Sequence, residues 1–116
     1  MLSLECYSQR SGRWVWLSDL LADTGADVSI LPRHLGMILV NDLRAGKRVE
    51  LNGVAPNASL PTFLHTLRCR WNGHEFSLLV AIAETNGVPP LLGRVHGLDR
   101  LTAVFAKGRY LELSTL

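Results

Sequence analysis

The run from Leu67 to Ile82 restricts the fold of this chain more than any other. Leu67, Cys69 and Trp71 are apolar, while Thr66, Arg68 and Arg70 between them are polar. A period of two puts alternate side chains on opposite faces of an extended strand, one of them toward a core. Asn72-Gly73 follows, a dipeptide suited to a type I′ turn because both central residues must take positive φ. Phe76, Leu78, Val80 and Ile82 then alternate with Glu75, Ser77, Leu79 and Ala81. The spacing predicts an antiparallel hairpin.

Other stretches agree. "LECYSQ" and "RWVWL" flank Ser11-Gly12 and predict a first hairpin from their β-formers and the turn dipeptide between them. "KRVELNGVAPNASLPTFLH" predicts a longer hairpin with a mobile tip, Pro56 and Pro61 being unsuited to central strands. "RHLGMILVNDLRAG" is expected to hold only a short turn or loop, because Gly36 interrupts it. In "GLDRLTAVF", Leu98, Leu101 and Phe105 have helical spacing, and "GRYLELSTL" reads as a closing strand. The expected fold is mainly β with one short C-terminal helix.

The chain has 116 residues, 47% of them hydrophobic, enough to bury a core, and residues 1–116 are expected to form one domain. Its net charge is +2, with ten Arg among twelve cations, scattered without a run; this is no footprint for nucleic acid or an anionic membrane. The longest apolar run, Leu78 to Ala83, is far short of the roughly 20 residues of a membrane span. No cleavable signal peptide is read at the N-terminus, so a cytoplasmic setting is expected. Cys6 and Cys69 have neither zinc nor redox-motif spacing and are expected to be buried thiols, with a disulfide between them as the alternative; no cofactor is implied. The four His residues show no metal spacing, and Trp14, Trp16 and Trp71 are expected in a core or interface rather than a pocket.

One stretch resists a purely structural reading. In "LLADTGADVSILP" an acid, Asp23, closes an apolar strand-like segment and leads through Thr24-Gly25 into a second one. An Asp at a turn accepts hydrogen bonds from its own backbone, and that alone explains an isolated Asp-Thr-Gly. Far downstream, however, "PPLLGRVHGLDRL" offers two apolar residues and a Gly before Arg94 and a helix-like segment.

With both segments, the chain resembles the retropepsin-like aspartic proteases, the single-lobed relatives of pepsin. "LLADTGADVSILP" is similar to the catalytic strand and loop, "LLGR" and "GLDRL" to the apolar-apolar-Gly segment and C-terminal helix, and "VELNGVAPNASLPTF" lies where the family has its flap. The resemblance spans roughly residues 14–113, and its detail is most similar to prokaryotic members. It implies a closed, barrel-like β fold with one lobe per chain. It also implies a homodimer that supplies Asp23 twice, since paired carboxylates share one proton around a water.

Further roles follow from the resemblance. Thr24 would hydrogen-bond across the dimer, and Gly25 would let substrate approach closely. Ala26 and Asp27 would meet the main chain of an extended peptide, with Gly53 and Val54 of the flap region. Gly93 and Arg94 would give structural support, Arg94 by pairing with Asp27. Two departures stand out: Pro56-Asn57-Ala58 occupies the flap tip, which is Gly-rich in the viral enzymes, and Val95-His96-Gly97 follows Arg94. The implied activity is endopeptidase; the alternative is an inactive dimer that binds peptide or organises an assembly.

Overall fold

A computed structural model describes residues 2–23, 25–55, 58–94 and 99, with the backbone alone over 52–55 and 58. Among the described residues its strands are β1 (Leu2–Ser8), β2 (Arg13–Ala22), β3 (Ser29–Leu31), β4 (Lys47–Ala55), β5 (Ala58–Trp71), β6 (His74–Ala83) and β7 (Leu91–Leu92), with an α-helix, α1 (Arg33–Leu39), and a 3-10 turn at Leu43–Ala45. The sheet runs β1-β2-β7-β3-β6-β5-β4, and β1 also pairs with β5. Six strands therefore close into a ring. The remaining strand, β4, lies along the first half of β5, and β1 meets β5 at Cys69 and Arg70.

Both predicted tight hairpins form. β1 pairs with β2 antiparallel, and β5 with β6 from Thr62↔Ala83 to Trp71↔His74. Asn72 and Gly73 take φ of 50° and 80°, as the type I′ turn requires. The expected burial follows: Leu67 and Cys69 are buried, while Thr66 and Arg68 face solvent. Along β6 the alternation ends at Val80, because Val80 to Ile82 also pair with β3 and are buried on both faces.

The longer hairpin forms as β4 and β5, and its tip, Pro56-Asn57, lies outside the described residues. Pro61 does sit inside β5, opposite Glu50. Its carbonyl accepts the Glu84 amide at 3.3 Å, just past the end of β6. In a strand the nitrogen faces the same side as the carbonyl, so the donor that Pro61 lacks is missing where no ladder continues.

One expectation needs correction. Residues 33–39 form a helix despite Gly36. A Cβ at Gly36 would overlap Ile82 Cγ2 and stand 3.2 Å from its Cδ1, so the glycine lets α1 lie directly on β6. The helix start is held by Asn86 Oδ1, which accepts the His34 amide at 2.8 Å, and by the Thr85 carbonyl, which accepts that of Arg33. Trp16, expected in a core or interface, is 65% exposed in the single chain. In β2 the period of two breaks: Asp19 has φ 60° and the register with β1 shifts between Leu2 and Leu4. This bulge turns both Leu17 and Leu20 inward.

The core gathers Leu4, Leu17, Leu20, Leu31, Phe63 and Leu67 with Leu78, Val80, Ile82 and Leu92, and the segment after α1 adds Val40 and Leu43. The expected C-terminal helix and closing strand lie outside the described residues, apart from Asp99. Among the described residues no helix is long and apolar enough to cross a membrane.

Candidate active site

Asp23 directly follows β2, and β3 begins at Ser29, yet these strands are not neighbours: β7 lies between them, parallel to β2 and antiparallel to β3. The connection 23–28 must therefore arch over the end of β7. The chain leaving β7 runs beneath this arch and is hydrogen-bonded to it. Leu21 and Asp23 amides donate to the Pro90 and Leu92 carbonyls, both at 3.0 Å, and the Arg94 amide donates to the Ala26 carbonyl at 2.8 Å.

Gly93 stands at the crossing. A Cβ there would lie 2.5 Å from the carbonyl carbon and oxygen of Val28 and 2.9 Å from the Ser29 nitrogen. These are backbone atoms, which cannot rotate away. The Gly93 amide donates to Ser29 Oγ at 3.0 Å, a buried bond. Ser29 has 1% exposure and satisfies a donor that the tight packing would otherwise strand.

The arch also braces itself. Asp23 Oδ1 accepts the Gly25 amide at 2.9 Å, and the Asp23 carbonyl accepts the Ala26 amide at 3.2 Å. An Asp two residues before the donor makes such a turn from its own side chain. At Gly25 a Cβ would stand 3.2 Å from that same carboxylate oxygen, so glycine keeps the acid uncrowded. Asp23 is half-buried in the single chain, and Gly25 and Asp27 are exposed.

Arg94 Nη2 lies 3.1 Å from Asp27 Oδ1. The side chains are 56% and 73% exposed, so in the single chain solvent screens most of their attraction. The structure thus brings Asp23, Gly25, Ala26, Asp27, Gly93 and Arg94 into one loop-and-strand crossing. Thr24 lies outside the described residues. Gly53 and Val54 are in β4, past the register shift that follows Asn52. Sequence reasoning missed Ser29, although a polar residue between Val28 and Ile30 was the available signal. An open cavity of about 320 Å³ borders α1, lined by residues including Arg33, Asp42 and Arg44, but by none from 23–27 or 91–94.

No family model matches the chain, and no curated protein matches it. Among solved structures it is similar to the EIAV protease complexed with the inhibitor HBY-793, with a TM-score of 0.53 and 18% identity over 89% of this chain and 85% of that one. At that identity the likeness speaks for the fold alone. The ring of strands and the crossing of β7 under the 23–28 arch accompany it, and the chain has the mainly β, single-lobed fold of the retropepsin-like proteins.

Proposed function

We propose that the chain is an aspartic endopeptidase of prokaryotic retropepsin-like pattern, in a cytoplasmic setting, whose site is completed by a second copy. The observation that carries this reading is the Asp23 arch. Its backbone is fixed by Leu92, Gly93 and Arg94, while Asp23 itself is only half covered. An acid held on a rigid loop at the surface suits docking against its own copy about a two-fold axis.

Two facing carboxylates cannot both ionise easily, so the pair holds one proton. The ionised Asp23 takes a proton from water as the water attacks the scissile carbonyl. The protonated Asp23 of the second copy hydrogen-bonds the carbonyl oxygen, and proton return to the leaving nitrogen breaks the C–N bond. Thr24 ties the two loops together. An extended peptide lies along Gly25, Ala26 and Asp27 as an added strand, covered by the β4–β5 hairpin with Gly53 and Val54. Arg94 holds Asp27 in place.

A second reading draws on the bond from the Gly25 amide to Asp23 Oδ1. That bond gives Asp23 a structural task without chemistry, as in a dimer that only binds peptide. The two readings part on incubation with a diverse peptide library between about pH 4 and 7, wild type beside Asp23→Asn. Catalysis predicts cleavage on the acidic side that falls by at least about 10²-fold in the variant. Cleavage that survives Asp23→Asn refutes the mechanism, and a folded dimer that never cleaves favours the binding module.

A further inference from the structure

The two cysteines meet far from the Asp23 arch in the strand pairing. Cys6 on β1 and Cys69 on β5 are register partners, both have 0% exposure, and their Sγ atoms stand 2.8 Å apart. Directly opposed residues of an antiparallel pair hold their Cα atoms about 4.5–5.5 Å apart, within the span a disulfide bridges. A disulfide bond is about 2.05 Å long, so the sulfurs need to approach by less than about 1 Å.

Their place in the fold gives such a bond a consequence. The β1–β5 pairing that closes the ring comprises Glu5 against Arg70 and Cys6 against Cys69. The first pair is a two-pronged ion pair, with Arg70 Nε and Nη2 donating to the Glu5 carboxylate at 3.0 and 2.9 Å. The second joins positions 63 residues apart in sequence. We propose that Cys6 and Cys69 form an oxidisable pair that locks the β1–β5 seam as an intrachain disulfide.

In the reduced fold the pair is guarded. The hydrogen bond between the thiols comes first, and burial adds to it, in pushing the Cys69 thiol well above its ordinary range. A protonated thiol is a poor nucleophile. Oxidation therefore proceeds while the seam is open, during folding or in transient opening. With a small disulfide such as oxidised glutathione, one cysteine thiolate attacks and expels one glutathione thiolate, leaving a mixed disulfide. The other cysteine thiolate then attacks the protein sulfur of that bond and expels the second. The protein loses two electrons and two protons, and the small disulfide gains them as two thiols. Once closed, the buried bond is shielded from reductants; in the reducing cytoplasmic setting proposed above the chain folds with both cysteines as thiols, and the bond forms only where folding or transient opening meets an oxidant.

The test refolds the full chain from urea in buffers of graded reduced-to-oxidised glutathione ratio and alkylates what remains reduced. Intact mass and peptide mapping read the product, and thermal unfolding reads the effect. The expected product is a monomer-linked Cys6–Cys69 disulfide, lacking two hydrogens and taking no alkyl group. Its Tm should exceed that of the reduced chain by roughly 10–20 °C, the gain from cross-linking a long loop, and dithiothreitol in urea should reverse it. Cys6→Ser should show no such oxidation-dependent rise; if that variant fails to fold, the linked wild-type peptide still decides. The proposal is overturned if both thiols remain alkylatable in the oxidising buffer, if only glutathione adducts or interchain links form, or if the linked chain is no more stable than the reduced one.

Discussion

Gly36→Ala tests whether close packing, rather than helix propensity, decides the residue at this position. In an exposed helix the change would stabilise by about 1 kcal/mol, because Ala is the better helix former. Here the new methyl overlaps Ile82 Cγ2 and crowds Ile82 Cδ1 and Cβ at 3.2 and 3.4 Å. Carbon contacts settle near 3.5–4.0 Å, so something must move by about 1 Å or more. Ile82 is fully buried and β-branched, with few rotamers open to it. The helix is tethered as well: the Ser8 hydroxyl donates to the Ile38 carbonyl at 2.6 Å and the Gln9 amide to that of Leu39 at 2.8 Å. Overpacking of this kind costs about 1–3 kcal/mol. With neither partner free to yield, the upper part of that range applies, and the propensity gain leaves a net loss of about 2 kcal/mol.

Urea unfolding followed by circular dichroism should show the midpoint falling with an unchanged slope, and Tm should drop by roughly 8 °C. Ile82→Ala removes Cγ2 and is itself costly, by about 2–5 kcal/mol. The double variant should nevertheless lose about 3 kcal/mol less than the sum of the two single losses, because the overpacking cost is gone while the propensity gain stays. A Gly36→Ala protein as stable as wild type, or two losses that simply add, would refute this account of the α1–β6 contact.

Other perturbations probe other links. Arg70 holds the Glu5 carboxyl below its ordinary value of 4.5, mainly through their hydrogen bonds. A depressed carboxyl stabilises the fold above the unfolded value and loses that effect as pH falls through the folded one. The Tm difference between wild type and Glu5→Gln should therefore be constant above about pH 5.5 and shrink below the ordinary glutamate value, checked by thermal scans across pH. Arg94→Gln should change the stability of the single chain by less than about 1 kcal/mol in urea unfolding, since its ion pair with Asp27 is exposed; a larger loss would mean the pair supports the arch directly. Gly93→Ala should destabilise by about 3 kcal/mol or prevent folding, because the added carbon meets the Val28 and Ser29 backbone, as expression and urea unfolding would show.

What was legible in the sequence follows the range of the forces involved. The hairpins β1–β2 and β5–β6 were readable because alternation and the Asn72-Gly73 dipeptide act within a few residues. Gly36 was misread because its reason is Ile82, a contact that no local window contains. The Asp19 bulge hid in the same way: Leu17 and Leu20 are both buried at a spacing that suits neither a regular strand nor its partner's register. β7, at two residues, is too short to carry any period, and Leu91-Leu92-Gly93-Arg94 stood out only through its resemblance to a motif. At the site, the Asp23 turn was readable from Asp and Gly alone. That Arg94 reaches Asp27 was expected only from the resemblance, because nothing local links residues so far apart.

The crossing explains why these two distant segments depend on one another. A loop that joins non-adjacent strands has no ladder of its own, and the buried part of its backbone needs partners from elsewhere. Leu92 and Arg94 supply them to Asp23 and Ala26, and Ser29 returns one to Gly93. The described parts of the arch, Asp23 and residues 25–28, are thus hydrogen-bonded through Asp23 and Ala26 to β7 and the chain leaving it within a single chain, so association need not supply those bonds. Under the proposed function this separates two failures that look alike in an activity assay. Asp23→Asn leaves the arch's backbone bonds in place and should yield a stable protein without cleavage, whereas Gly93→Ala removes the room in which the arch is built and should lose the fold with the activity. A Gly93→Ala protein as stable as wild type would show that the arch does not rest on β7, and the case for Asp23 as a preorganised acid would fall with it.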